Sequence, residues 1–561
     1  MSNNFGNQPQ SNGNRSDPGS NGQAPNRPAG SLLRDYARQS SQVSPQYNKE
    51  EREGPRRGFS RHRTPFLLFL IVALLVLVGG VSFATLHQTG AQAASPVIQQ
   101  ISHDPFTNST SQHHTQVEPD TFSSGSTVVS AFQSGRFYAG GGSSGISWAT
   151  STNAGLTWQG GTLPGITVYT GGSYARVSDP AVAHDAAHGT WLIASLAAKT
   201  TFDGVNGSTA VIVSRSTNGG LTWNKPVLVA ASGSSNNFDK DWIVCDQHPA
   251  SPFYGRCYAE WDDAANHGRI FMSFSTNGGL TWSRPVSPTS QSFSAIGGQP
   301  LVMPNGYVIV PIYGYDLATG AEGLYSYRST NGGASWTNLL KIARSTYSAA
   351  SAFYRGGSLP SADIDHAGKV YLAWAGCYFE PKCMADDIVL TTTTDGLTWA
   401  PLQRIPLDAV GSGVEHITAG LAVDSSTSGS GAHLAVTYYY WPHAGCSAST
   451  CQISVGFASS INGGATWSQH QTLAGPMLAT WWANTNQGYM TGDYIATAIS
   501  PSTHLAVTVF PVARAPSGQT RNEFMEGASL SVTGGTLRLF ALNLAGTAPQ
   551  GTYTKHYRTA H

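Results

Sequence analysis

The sequence predicts an all-β fold, a seven-bladed β-propeller preceded by one transmembrane helix. Three observations predict it: an octet ending in tryptophan occurs in six copies, a second apolar register opens each repeat, and one uncharged stretch separates a polar N-terminal segment from the repeats. The composition agrees. Gly is abundant at 63 residues and only 11% of side chains are charged, with short apolar runs divided by Ser, Thr and Asn, the pattern of many short strands joined by tight turns. Zero formal net charge, with no basic stripe on the repeat region, argues against electrostatic capture of nucleic acid.

Residues 1–63 are rich in Asn, Gln, Ser, Gly, Pro and Arg and carry too few apolar side chains to offset the entropy of ordering, which predicts a disordered segment. The transmembrane helix is placed at 64–86. No residue from Pro65 to Leu86 is fully charged, and at ~1.5 Å per residue that stretch reaches roughly 33 Å, enough to cross a bilayer core. Arg52, Arg56, Arg57, Arg61 and Arg63 precede it and the next Lys or Arg is Arg136, so the positive-inside rule puts the N-terminus in the cytoplasm and the repeats outside the cell membrane. Ala91-Gln92-Ala93 resembles a signal-peptidase site, so secretion after cleavage near Ala93 is the alternative, but the apolar run is longer than the usual ~7–15 residues. A tether over 87–114, a propeller over 115–545 and a tail over 546–561 complete the division.

Six cysteines fall into three close pairs, Cys245/Cys257, Cys377/Cys383 and Cys446/Cys451, which suits local disulfides in an oxidising compartment. Zinc is the weaker reading, because Cys446 and Cys451 with His443 nearby lack a convincing fourth ligand. No cofactor is expected, although buried axial carboxylates would also suit a structural cation such as calcium.

The octet reads Ser216-Thr217-Asn218-Gly219-Gly220-Leu221-Thr222-Trp223 and recurs from Ser151, Ser275, Ser329 and Ser460, with a divergent copy from Thr392 to Trp399 in which Thr394 takes the Asn position and Asp395 stands beside it. Ser and Asn oxygens can hold the turn's N–H groups, Gly supplies positive φ, and Trp packs back into the blade. The six tryptophans are 65, 59, 54, 63 and 68 residues apart, room for four strands and generous loops. Before each octet an apolar stretch opens at Glu118, Asp179, Lys240, Gln299, Leu359 or Thr418, and a seventh opens at Asp493. Ser531 to Thr536 would supply a degenerate seventh octet; six blades, with the last stretch closing the ring, is the alternative.

These octets are Asp boxes, S-x-D-x-G-x-T-W with Asn for Asp, and over most of residues 115–540 the chain resembles the sialidase (BNR-repeat) superfamily. The resemblance implies a propeller and exo-α-sialidase chemistry: an arginine triad on the substrate carboxylate, an Asp acid/base and a Tyr nucleophile assisted by Glu. The family's F/Y-R-I-P motif is absent; the nearest stretches hold Arg176 and Arg355, the candidates for substrate binding.

The ring supplies its own argument. Inner strands converge on the axis, so the residues that open the repeats share one mouth of the channel, and clustered carboxylates push one another's pKa apart. Asp179 and Asp241 are the acid/base candidates, and Tyr494, beside Glu118 or Asp493, is the nucleophile candidate. Trp481 and Trp482 are candidates for a sugar platform, whereas Asp185, Asp246, Asp365 and Asp424 read as turn residues and His416 as a hydrogen-bonded structural side chain. Two functions fit: a surface glycoside hydrolase of sialidase type, or a non-catalytic propeller that binds glycan or protein. Convergent arginines distinguish sialic-acid binding from the other readings.

Overall fold

The computed structural model describes residues 96–534, apart from 203–205, 289–291, 349–352, 356–358 and 519. The expected cytoplasmic segment, transmembrane helix and tail, and the end of the degenerate seventh box, lie outside the described residues. Among the described residues no helix is long and apolar enough to cross a membrane.

Antiparallel groups follow one another along the chain. Gln116–Ser124, Thr127–Arg136, Ser143–Ser151 and Gln159–Thr162 pair in order, as do Arg176–Asp185, Thr190–Ala198, Thr209–Ser216 and Val227–Ala231. A single pair, Ser143 with Val177, links these two groups. Phe238–Cys245, Cys257–Asp263 and Arg269–Ser275 come next, then Leu301–Val302 and Phe293–Ile296, both paired with Val308–Asp316, followed by Glu322–Ser329 and Leu340–Arg344. Ser361–Ile364, Val370–Gly376, Asp387–Thr393 and Gln403–Arg404 precede Glu415–Val423, Leu434–Trp441, Gln452–Ser460 and Ser468–Leu478. The last group, Ala496–Ile499, Leu505–Ala513 and Glu523–Ser531, takes its outer strand from Val97–Gln100, with Val97 opposite Ser529 and Gln100 opposite Glu526.

The strands that open the groups make a closed cycle of contacts. Gln116–Ser124 packs beside Arg176–Asp185, then come Phe238–Cys245, Leu301–Val302, Ser361–Ile364, Glu415–Val423 and Ala496–Ile499, which returns to Gln116–Ser124. Neighbouring groups stack face to face, which is why their strands read as continuous apolar runs rather than as alternating ones: all nine residues of Thr190–Ala198 are buried. The core lies between the faces, as where Leu192, Leu196 and Val213 meet Ile243, Ala259 and Trp261 of the next group. Each fully buried Leu, Val or Ile side chain there contributes about 1.5–3 kcal/mol.

The Asp boxes form the turns their residues dictate. Asn218 Oδ1 accepts from Thr222 N at 3.0 Å, Ser216 Oγ accepts from Gly220 N at 3.0 Å, and Gly219 and Gly220 both sit at φ +79°. The boxes also tie neighbouring groups together, which the sequence did not indicate. Thr150 Oγ1 donates to Gly220 O, Arg215 Nε to Gly278 O, Arg256 Nη1 to Gly332 O and Arg328 Nη1 to Asp395 O, each side chain reaching from one group to the box of the next. Ser529 Oγ closes the circuit on Ala154 O. The divergent copy needs a correction. One residue is missing from the turn, so Thr393 acts as the Ser and Asp395 as the Asn: Gly396 N donates to Thr393 Oγ1, and Leu397 N and Thr398 N donate to Asp395 Oδ1.

One other expectation changes, and the expected cysteine pairing is found. Val97–Gln100, within the stretch read as tether, is the outer strand of the last group, because Glu523–Ser531 would otherwise present an open edge. The cysteines pair as Cys245–Cys257, Cys377–Cys383 and Cys446–Cys451. Each closes a short loop, so each contributes about 2–3 kcal/mol in the chain-entropy account. Peptide mapping of the unreduced full chain should recover these three local links and no free thiol; a long-range link would refute the pairing.

Candidate active site

The site begins with backbone bulges. Glu118, Asp179, Lys240 and Thr418, all read as repeat starts, have φ of +56°, +48°, +41° and +53°, and strand register slips at each, between Val117 and Asp120, Ser178 and Ala181, Asp239 and Trp242, and Ile417 and Gly420. Such conformations cost non-glycine residues about 1–3 kcal/mol and re-aim the side chain, and those of Glu118, Asp179 and Lys240 line one cavity. Of the remaining starts Asp493 also brings charge there, whereas Gln299 and Leu359 do not: Gln299 Oε1 accepts from Ala362 N of the next group at 2.8 Å, and Leu359 packs among the apolar side chains around Trp374.

Lys240 is the hub. Its Nζ lies 2.7 Å from Asp493 Oδ2, 3.3 Å from Asp179 Oδ1 and 4.0 Å from Glu118 Oε1, with all four residues buried or nearly so. Asp493 Oδ2 also pairs with Arg355 Nη2 at 3.2 Å, and Asp493 N donates to Glu118 Oε1 at 3.1 Å. This close approach requires glycine at 492, where φ is +114° and a Cβ would stand 3.0 Å from Glu118 N. Gln133 Nε2 donates to Glu118 Oε2 and, at 3.1 Å, to Ser178 Oγ, which in turn donates to Asp179 Oδ1 at 3.3 Å.

Two arginines join this network. Arg136, the last residue of Thr127–Arg136, and Arg355, whose N–H donates to Tyr489 O, both direct a guanidinium nitrogen at Met490 Sδ, at 2.9 and 2.6 Å. Arg136 is 3% exposed, and its Nε and Nη1 have no hydrogen-bond partner among the described residues. Glu118, Asp179, Asp239, Lys240, Arg136 and Arg355 line one cavity, with Phe137, Tyr138 and Phe202 as aromatic walls and Gln133, Ser178, Thr485, Asn486 and Gln487 as neutral polar groups. Gly140, Gly141 and Gly142 complete its rim.

Burial raises Glu118 to about 7, with Lys240 pulling it down and Asp493 and Asp179 pushing it up. Burial also raises Asp179 and Asp239 against the pull of Lys240. Asp493 differs: burial pushes it up, but Arg355 and then Lys240 hold it well below the usual carboxylate range. Burial opposes the Lys240 charge, yet Asp179, Asp493, Glu118 and Asp239 keep it well above the usual lysine value. One cavity thus holds a carboxyl that gains and loses its proton near neutrality, and the ionised Asp493 adjoins it.

The sequence candidates divide accordingly. Glu118, Asp179, Asp493 and Arg355 come together. Asp241 does not line the cavity; it is buried, neither carboxyl oxygen has a hydrogen-bond partner among the described residues, and burial, Asp179 and Glu260 raise it well above its usual value. Tyr494 is placed differently from an activated phenol: its hydroxyl donates to Pro180 O at 3.2 Å, its ring packs edge-on against Trp242, and burial, then Glu118, Asp179 and Asp241, push its pKa well above 10. Trp482 is fully buried against Tyr439 in the core and so forms no sugar platform, and Trp481, half-buried, packs on the same cluster and does not line the cavity. Arg176 supports the rim from outside, with Nη1 on Ala139 O at 2.6 Å and Gly141 O at 2.8 Å and its guanidinium over the Phe137 ring. Arg136, Phe137 and Phe202 were not anticipated. Lys240 was named only as a repeat start, and that equivalence with Glu118 and Asp179 was the available signal.

The chain is similar to solved sialidase structures. The Hadza microbial sialidase Hz136 aligns at 16% identity over 64% of this chain and 66% of its own, with a TM-score of 0.39. The NanB sialidase from Streptococcus pneumoniae aligns at 14% identity over 78% and 71%, with a TM-score of 0.39. An α-L-arabinofuranosidase, Arb93A from Fusarium graminearum, aligns at 13% identity over 65% and 98%, with a TM-score of 0.41. No protein-family model and no curated protein sequence matches.

Proposed function

We propose that the chain is a seven-bladed, extracytoplasmic glycoside hydrolase, held at the cell membrane by residues 64–86 and acting on terminal sugars of glycoconjugates. The observation that carries this reading is Glu118: a buried carboxyl with a pKa of about 7, in a cavity shared with a second carboxyl, Asp179. Acid-assisted cleavage of a glycoside uses a pair of carboxyls, and Lys240, 3.3 Å from Asp179, favours the ionised form of that partner against its burial. Glu118 gives its proton to the leaving oxygen as the bond to the anomeric carbon breaks, and Asp179, steadied by Lys240 and Ser178, faces the positive charge that develops there. Water then adds to the anomeric carbon and returns a proton to Glu118. Aromatic walls suit the apolar face of a pyranose, and the neutral amides and hydroxyls suit its hydroxyl groups.

An acidic sugar of the sialic acid class is the preferred substrate, because the unpartnered donors of Arg136 lie beside Arg355 in the same cavity. A different observation favours the glycan-binding reading: Lys240 and Arg355 already have protein carboxylates as counter-ions. The full chain incubated with fluorogenic aryl glycosides, an α-sialoside among them, should release fluorophore from the sialoside. Cleavage of neutral glycosides alone would overturn the sialic acid assignment, and a folded chain that binds glycans but cleaves none would replace the hydrolase by the binding module.

A further inference from the structure

Six residues beyond the bulge at Thr418, roughly 20 Å along an extended strand, Asp424 directly follows the opening strand of its group, Glu415–Val423. It was read from the sequence as a turn residue, and its backbone does make the turn: Thr427 N donates to Asp424 O at 2.9 Å, and Asp424 N donates to His433 O at 2.9 Å. The second of these bonds, with His433 N on Thr427 Oγ1 at 2.9 Å, fixes His433 beside the carboxylate. His504 arrives from the neighbouring group, where its N–H donates to Ser500 O at 2.8 Å and φ is +56°.

The ligand atoms converge. His504 Nδ1 lies 2.6 Å and His433 Nδ1 3.8 Å from the same oxygen, Asp424 Oδ2, and the three atoms lie within 4.8 Å of one another. Asp424 is completely buried, and its other oxygen is occupied by Ser426 N at 3.0 Å and Ser426 Oγ at 2.5 Å, which leaves Oδ2 to the imidazoles. His433 Nδ1 is buried and has no hydrogen-bond partner among the described residues. A nitrogen left so is unfavourable unless something fills the space it faces. The equivalent aspartate Asp365 shows the contrast: Ala367 N and Lys369 N occupy one oxygen and Gly429 N the other.

We propose that Asp424, His433 and His504 bind one Zn²⁺ ion that clips their two groups together. Zinc takes imidazole nitrogen and carboxylate oxygen at ~2.0–2.2 Å in a tetrahedron, whose edges are then roughly 3.3 Å. The distances of 2.6 and 3.8 Å lie on either side of that edge, so shifts of roughly half to three-quarters of an ångström bring both to it. The His504 side chain is 51% exposed, which provides an entry path and leaves the fourth position to water. The ion would brace the group that Val97–Gln100 closes against the one before it.

The test uses the full chain purified without a histidine tag, loaded with Zn²⁺ and dialysed against metal-free buffer. One equivalent of zinc per chain should remain, and Co²⁺ in its place should show the visible absorption of a four-coordinate ion. His504→Gln, at a half-exposed position, and His433→Gln should each abolish stoichiometric retention while circular dichroism remains that of the parent. Failure of the parent chain to retain zinc would overturn the proposal, as would retention undiminished in both variants. The assay does not depend on glycoside cleavage, so it stands or falls separately from the hydrolase reading.

Discussion

Lys240→Met should destabilise the full chain by about 3–5 kcal/mol, the usual consequence of removing one partner from a buried charge network. Asp493 and Asp179, 2.7 and 3.3 Å from the lost ammonium, would be left as buried carboxylates with reduced compensation. At ~2.1 cal/mol/K per residue, a fold of this size loses about 1 °C of thermal midpoint per kcal/mol, so the midpoint should fall by about 3–5 °C. Its pH dependence identifies the cause. Without Lys240 the carboxyl pKa values in the folded state rise, the folded state binds more protons than the unfolded one, and the variant loses stability as pH increases. The gap to the parent should therefore narrow in acid, where protonated carboxyls need no counter-ion. A midpoint unchanged at neutral pH, or a gap that widens in acid, would refute the role of Lys240 as hub.

Glu118→Gln should reduce turnover of the cleaved glycoside by ~10²–10⁴, the cost of losing a positioned general acid. In the parent, activity should fall as pH rises through about 7, where Glu118 gives up its proton, and that limb should vanish in the variant. Stability supplies an independent check. The folded value of about 7 lies above the ordinary 4.5, so the folded state keeps a proton that the unfolded state releases between those values, and stability contributed by this group is lost as pH rises across the window. Glu118→Gln should flatten that slope. Undiminished turnover in the folded variant would remove Glu118 from the chemistry.

Much of the fold was legible because its signals are local. The boxes from Ser151, Ser216, Ser275, Ser329 and Ser460 each contain every side chain their turn needs within four residues, so a linear motif is a sufficient description. The disulfides were legible for the same reason, since each joins cysteines separated by 12 residues or fewer. Half of the site was legible by equivalence: Glu118, Asp179 and Lys240 occupy matching repeat positions, and matching positions in a ring meet at its axis. Arg136 had no such signal. It ends a second strand, and its role comes from Glu118 and from Met490, Glu523 and Asp493 at the other end of the chain. Trp482 misled in the opposite direction, because an aromatic pair in a connection reads alike whether it lines a cavity or fills a core.

By itself, the sequence determined the all-β character, the repeat, the turns and the cysteine pairing, all of them set by interactions between near neighbours in the chain. Tertiary structure alone decided what the repeat's residues face. It set Val97–Gln100 against Glu523–Ser531, drew Asp493 to Lys240 and Arg355, turned Tyr494 to Pro180, and carried His504 to Asp424. The reason is physical. A turn is specified by the side chains adjoining it, whereas burial and charge, which set the pKa of Glu118 and the ionisation of Asp493, depend on groups contributed by several sheets, and these become neighbours only when the ring closes.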